Sequence, residues 1–373
     1  MSLVINEEQQ MLKNSAKEFL KNRAPVSALR LLRDNNDSKG YDIGLWQEMA
    51  EMGWASLTIP ETYGGLDFGH VGLGQIMEEM GRTLTASPLF STIWLGTTAI
   101  KLAGNVLQKE SLLPVIAEGN MVVAFALEEG NRHHSSRITT TAIETRDGYI
   151  LTGKKVFVLD GHVANKLIVV ARTADGLEGI HLFLVDANAE GLSVERKWMM
   201  DSRNAATVTF HNVPAEMLGE DGDGFGALEK TLDIARIGLA AEMLGTMQEA
   251  FDRTIAYLKE RTQFGVQIGS FQALQHRAAL MYSEIELCKS LVIQSLQAID
   301  DDSSDLEKLA SMTKAKVGEV IELVTNEAIQ MHGGIGVTDD EEIGFFMKRA
   351  RVAQRTLGDY NYHLDRFARL NGF

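Results

Sequence analysis

Gln330-Met331-His332-Gly333-Gly334-Ile335-Gly336 closes an apolar helical stretch near the carboxyl end of this chain, and Arg355-Thr356-Leu357-Gly358-Asp359 follows it. Working outward, the stretches around 306–331, 271–299 and 228–260 all carry apolar residues at helical spacing. In the last of these the stripe is Leu232, Ala235, Leu239, Met243, Leu244, Met247, Phe251 and Ile255. Helices of such length with apolar stripes suit an antiparallel four-helix bundle. No strict heptad persists that would make them coiled-coil arms. Residues 223–373 are therefore assigned to a carboxy-terminal helix-bundle domain. Its glycine run leaves backbone open to close approach.

Upstream the apolar period changes. Val122 to Leu127, Thr139 to Glu144, Tyr149 to Thr152, Leu167 to Arg172, Leu182 to Asp186 and Thr207 to Phe210 are short, branched or aromatic runs separated by Gly, Asp and Asn. Asp147-Gly148, between two of them, is a hairpin signal because both residues tolerate positive φ. This predicts a middle β domain over 119–222. Residues 1–118 return to helical spacing. Asn6 with Gln9 three residues on resembles a capping box, and Met11, Leu12, Ala16, Phe19 and Leu20 follow it. Pro60 and the Gly64-Gly65 pair mark a loop. The fold class is thus α+β, in the order helices, strands, helix bundle.

A length of 373 residues suggests two or three packed units. The formal net charge of -15, with no concentrated Lys/Arg run, argues against a nucleic-acid surface. The amino terminus shows no apolar signal core and no stretch is apolar enough to span a membrane, so the expected location is cytoplasmic. The lone Cys288 excludes a disulfide framework and a cysteine-rich metal site. Adjacent His133 and His134, read as strand residues, would point to opposite faces with no third ligand at a sensible spacing, so no metal is expected.

Three segments in order, Ile59-Pro60-Glu61-Thr62-Tyr63-Gly64-Gly65, Glu260-Arg261-Thr262-Gln263-Phe264-Gly265 and Gln330 to Gly336, resemble the acyl-CoA dehydrogenase family, and the resemblance covers essentially the whole chain. It implies FAD as cofactor, an acyl-CoA thioester as substrate, an electron acceptor such as an electron-transfer flavoprotein, and a dimer-based oligomer, homomeric or heteromeric, of tetramer type. By the same resemblance Arg261 faces the cofactor pyrophosphate and Phe264 its adenine end, across a subunit interface. Gln272, Gln330, Gly333 and Gly334 match the remaining cofactor contacts. A guanidinium suits phosphate oxygens, which it meets bidentately. Arg236 matches an arginine beside the acyl-CoA channel. Taken on its own, it is an arginine among apolar neighbours that requires an anionic or carbonyl partner, and Asp233 is within helical reach.

The chain departs from the family where the chemistry is done. The family's catalytic glutamate falls at Leu357, and the alternative position used by a second branch falls at Ala235. Leu127 stands for a threonine that bonds the flavin, His133 and His134 for a serine-aspartate pair, Phe157 for a tryptophan, and Leu159 for a threonine near the flavin's reactive nitrogen. No catalytic residue is thereby identified. Asp359 either serves as a displaced base or caps or contacts the dinucleotide end of the cofactor. The pattern resembles the small, base-lacking subunits of heteromeric acyl-CoA dehydrogenases, in which one chain type carries the base and the other completes the FAD site. Two alternatives stay open: a catalytically silent structural subunit, and a different flavin reaction on this fold.

Overall fold

A computed structural model describes residues 3–220, 222 and 224–373. Helices, then strands, then helices succeed one another along the chain, as the change of period predicts. Two compact units are formed. One contains the described residues of 1–31, with 70–85 and 236–373; the other contains 32–69 and 86–235.

In the second unit, β1 (Val123–Ala126), β2 (Thr141–Thr145), β3 (Gly148–Leu159), β4 (Lys166–Arg172), β5 (Ile180–Asp186), β6 (Leu192–Trp198) and β7 (Asn204–Met217) make one sheet. The pairings β4–β2–β3–β7–β5 return to β4, so the sheet closes on itself. β1 adds to β4 and β6 to β7. Alternate residues point inward, and Leu151, Leu167, Val169, Phe183, Val208 and Phe210 fill the interior. A hairpin forms at Asp147-Gly148 as expected, but its turn is shifted by one residue: Thr145 pairs with Gly148, so the two turn residues are Arg146 and Asp147, and of these positions only Gly148 has positive φ (131°). The register between β3 and β7 shifts between Lys155 and Val158, and Phe157 in that bulge has φ 52°.

In the first unit, α1 (Glu7–Arg23) starts on the capping box of Asn6 and Gln9. α4 (His70–Thr83) is started by a residue from a distant helix: Asp300, at the end of α8 (Gln272–Asp300), accepts from the backbone N–H groups of His70 and Val71. The long α7 (Gly224–Glu260) touches α4 backbone to backbone. A Cβ on Gly81 would meet the Glu242 carbonyl at 2.0 Å, and one on Gly245 the Glu78 carbonyl at 1.7 Å. α9 (Leu306–His332) is the most buried of the later helices, and α8, α10 (Ile343–Arg355) and α11 (Tyr360–Leu370) pack against it. No helix among the described residues is long and apolar enough to cross a membrane.

Candidate functional site

The turn after α10 is built by cations. Leu357 has φ 58° and is buried, and Gly358 follows at φ 106°. A left-handed leucine is disfavoured, because its Cβ crowds the following carbonyl. Its own carbonyl explains how it is held: Arg236 Nε donates to it at 3.1 Å and His363 Nε2 at 3.0 Å. Arg236 is wholly buried in α7, with its guanidinium over the Tyr362 ring, 5.6 Å from the centroid. Of the anionic or carbonyl partner expected for Arg236, the Leu357 carbonyl supplies the second kind.

Lys314, on α9, holds the other side of the turn. Its ammonium donates to the carbonyls of Ala353 (3.0 Å), Gln354 (3.1 Å) and Gly358 (3.1 Å). Burial, with the neighbouring charges of Arg236 and Arg349, brings its pKa down to about 7, against a smaller opposing pull from Asp359. Arg349 is itself clamped by Glu242, with both nitrogen–oxygen contacts at 2.8 Å. Asp359 caps α11 by accepting from the Tyr362 N–H (3.0 Å) and lies 3.4 Å from Arg355. Arg236 and Asp359 thus flank one turn, and the side chain between them is an apolar leucine.

On the β unit, Leu127 is buried and Phe157 and Leu159 are half-buried. No hydroxyl stands at either of the positions where the resemblance expects one. The polar structure beneath them is an ion pair absent from the sequence reading. Lys155, wholly buried, reaches Glu129 at 2.8 Å and the Leu127 carbonyl at 3.0 Å. Glu129 also accepts from the backbone N–H and hydroxyl groups of Thr139 and Thr140. Burial alone would raise its pKa, but the Lys155 charge and these donors outweigh it and hold the carboxyl at about 2. Lys155 falls to about 8, chiefly through burial. His133 and His134 lie in an irregular segment and not in a strand, so strand alternation does not apply to them; His133 contacts Glu128 at 2.5 Å. No group of metal-ligating side chains occurs among the described residues.

The remaining expected residues lie at the surface of the helical unit. Thr262–Gln263 and Val266–Gln267 pair as a short hairpin whose two turn residues, Phe264 and Gly265, both have positive φ (54° and 80°). Phe264 is 90% exposed at its tip and meets Phe271 edge-on at 6.2 Å. Arg261 begins this hairpin and Gln272 opens α8 just after it; both are exposed. Gln330, Gly333 and Gly334 sit at the end of α9, where His332 stacks on Tyr257 at 4.5 Å. A Cβ on Gly333 or Gly334 would meet nothing within 4 Å. An exposed guanidinium, an exposed ring, two amides and open glycine backbone suit the phosphates and adenine of a dinucleotide, so the residues fit FAD.

Three family models match along the chain: acyl-CoA dehydrogenase, N-terminal domain, over 6–120; middle domain, over 124–213; and C-terminal domain, over 222–370. A 3-(aryl)acrylate reductase of Clostridium sporogenes is 34% identical over 82% of this chain and 84% of its own. The caffeyl-CoA reductase-Etf complex subunit CarC of Acetobacterium woodii is 29% identical over 94% of each chain. Among solved structures, a variant of the Tcur3481-Tcur3483 steroid ACAD superposes with a TM-score of 0.89 at 35% identity, covering 98% of each chain.

Proposed function

This chain belongs to the acyl-CoA dehydrogenase family, and we propose that within it the chain acts as the base-lacking subunit of a heteromeric FAD-dependent acyl-CoA dehydrogenase. The reaction class is α,β-dehydrogenation of an acyl-CoA thioester, for which bound FAD supplies the hydride acceptor. Its other half, removal of the α-proton, requires a positioned base. Leu357 carries this proposal: the turn that should present the base is fully built and anchored, yet the residue it presents cannot accept a proton. Ala235, the second position for a base, is apolar and buried as well.

The exposed Phe264 supports a role across a subunit interface. A phenylalanine in a left-handed turn, 90% exposed, keeps little for its own chain beyond the edge-on contact with Phe271. In this reading Arg261 and Phe264, with Gln272, Gln330, Gly333, Gly334 and Asp359, complete a dinucleotide site shared with a partner that carries the glutamate. The assembly is a dimer-based tetramer, cytoplasmic, with an electron-transfer flavoprotein as electron acceptor. The complex named for the caffeyl-CoA relative favours such an acceptor.

A second reading, a catalytically silent structural subunit, is favoured by the loss of hydroxyls at Leu127 and Leu159. A third, reduction of an α,β-unsaturated acyl group on the same fold, is favoured by the names of the two reductases. Flavin absorbance and stoichiometry of the chain purified alone and co-expressed with a glutamate-bearing homologue separate them. The leading reading expects acyl-CoA-dependent bleaching in the co-expressed complex that the lone chain does not match. Equal bleaching by the lone chain would refute it.

A further inference from the structure

Lys314 is nearly invisible from outside, at 1% exposure, yet it makes no hydrogen bond to a carboxylate. An ammonium has three donors, and all three are spent on backbone carbonyls. Two of these, Ala353 and Gln354, are in the last turn of α10, where helix carbonyls lack intrahelical partners and attract a cation. The third, Gly358, lies beyond the turn. Lys314 therefore joins the end of the helix to the far side of the segment 355–358 with no donor left over for a ligand.

The charges around it make this an expensive place for a lysine. Arg236 on α7 and Arg349 on α10 oppose its charge, and Asp359, after the turn, is the one that favours it. A buried cation among other cations is retained only when its contacts replace what water would have given it.

Arg236 and His363 fix the carbonyl of Leu357, and Lys314 fixes that of Gly358, so both peptide planes after Leu357 are pinned. We propose that Lys314 is the positioning residue of this turn: by tying α10 to Gly358 it sets the direction in which the side chain of residue 357 leaves the backbone, whatever that side chain is. The functional part of this inference rests on the reading of position 357 as the family's base position. The geometric part does not.

The test uses the full FAD-loaded chain and two readouts. In the first, hydrogen exchange is followed by mass spectrometry in the wild type, Lys314→Met, Lys314→Gln and, as a control, Lys316→Met; Lys316 pairs with Glu284 and Glu319 at the helix surface. Lys314→Met is expected to speed exchange of the segment 352–363 about tenfold or more while the other helices stay within about twofold. Lys314→Gln, which keeps two donors, gives a smaller increase and serves if Lys314→Met does not fold. In the second readout, Leu357→Glu is combined with each Lys314 variant. The rate gained from the introduced carboxylate is expected to fall about tenfold with KM nearly unchanged.

Faster exchange confined to 352–363 supports the proposal even if Leu357→Glu brings no activity, in which case the base-position reading is what has failed. Exchange that is unchanged in that segment, or accelerated uniformly across the chain, overturns it. So does a gain from Leu357→Glu that survives Lys314→Met.

Discussion

Arg236 and Leu357, 121 residues apart in sequence, are joined by a 3.1 Å hydrogen bond from a buried guanidinium to a carbonyl in a left-handed turn. The arginine therefore does two things. It satisfies a backbone acceptor inside the core, and it steadies a conformation that leucine would otherwise avoid.

Arg236→Leu is expected to destabilise the chain by about 2 to 3 kcal/mol, the cost of leaving a buried acceptor short of a charged donor. Arg236→Lys should recover only part of this, because an ammonium cannot lie flat over the Tyr362 ring while donating to Leu357. Urea unfolding midpoints at fixed FAD concentration measure both. A loss in Arg236→Leu smaller than about 0.5 kcal/mol would show that His363 alone suffices at that carbonyl.

Glu129 makes an acid-dependent contribution on the β unit. Its carboxyl is held at about 2, below its ordinary value of 4.5. The folded state therefore binds its proton less readily than the unfolded state does, and the stabilisation is fully present above pH 4.5 and is lost as pH falls toward 2. Glu129→Gln leaves Lys155 buried without its counterion and is expected to cost about 3 kcal/mol at pH 7. Thermal unfolding of the two proteins should converge as the pH is lowered through that window. A constant gap at all pH values would mean that packing, and not charge, is responsible.

Local chemistry was legible in the sequence where partners are close. The Asn6 capping box, a hairpin near Asp147-Gly148 and the switches of apolar period each need only a few neighbouring residues to be read, although the exact turn residues, Arg146 and Asp147, are one position earlier than the sequence indicates. β6 was missed because Leu192, Val194 and Trp198 alternate with Ser193, Glu195 and Lys197 on a strand paired only to β7, too polar to register as an apolar run. β3 runs to Leu159, well past the Tyr149–Thr152 stretch that the pattern picks out, since Gly153-Lys154-Lys155 and a register shift between Leu151 and Gly153 interrupt its alternation. Lys155 and Lys314 carried no signal at all. A lysine reads as a solvated side chain, and only the fold brings Glu129 or three carbonyls to its ammonium. The apolar residue at Leu357 was legible, and so was the need of Arg236 for a carbonyl or anionic partner, but His363 and Lys314 as anchors of the turn were not.

Arg261 and Phe264 make a prediction that separates cofactor binding from folding. Both are exposed in a hairpin at the surface, so truncation should leave the thermal midpoint of the isolated chain nearly unchanged. Arg261→Ala is expected to weaken FAD binding by the assembled oligomer about tenfold or more, the value of one charge-assisted hydrogen bond to phosphate. Phe264→Ser should weaken both FAD retention and assembly. Fluorescence titration with FAD and light scattering supply the readouts. Unaltered FAD affinity in Arg261→Ala would remove the hairpin from the cofactor site.

Leu357→Glu tests the absent base directly. The turn already has the backbone geometry and anchoring to present a side chain from residue 357, so the substitution introduces a carboxylate without asking the backbone to move. A positioned base typically supplies about 10²- to 10⁴-fold. The gain expected here is nearer tenfold, because the family resemblance implies hydroxyl contacts to the flavin at the positions that Leu127 and Leu159 occupy. Adding Leu159→Thr to Leu357→Glu should therefore raise the rate further, whereas Leu159→Thr alone should do little. Single-turnover reduction of bound FAD by an acyl-CoA, followed by absorbance, distinguishes the four proteins. Brisk reduction in the unmodified, partner-free chain would place the proton acceptor elsewhere, and loss of that activity in Asp359→Asn would then identify it.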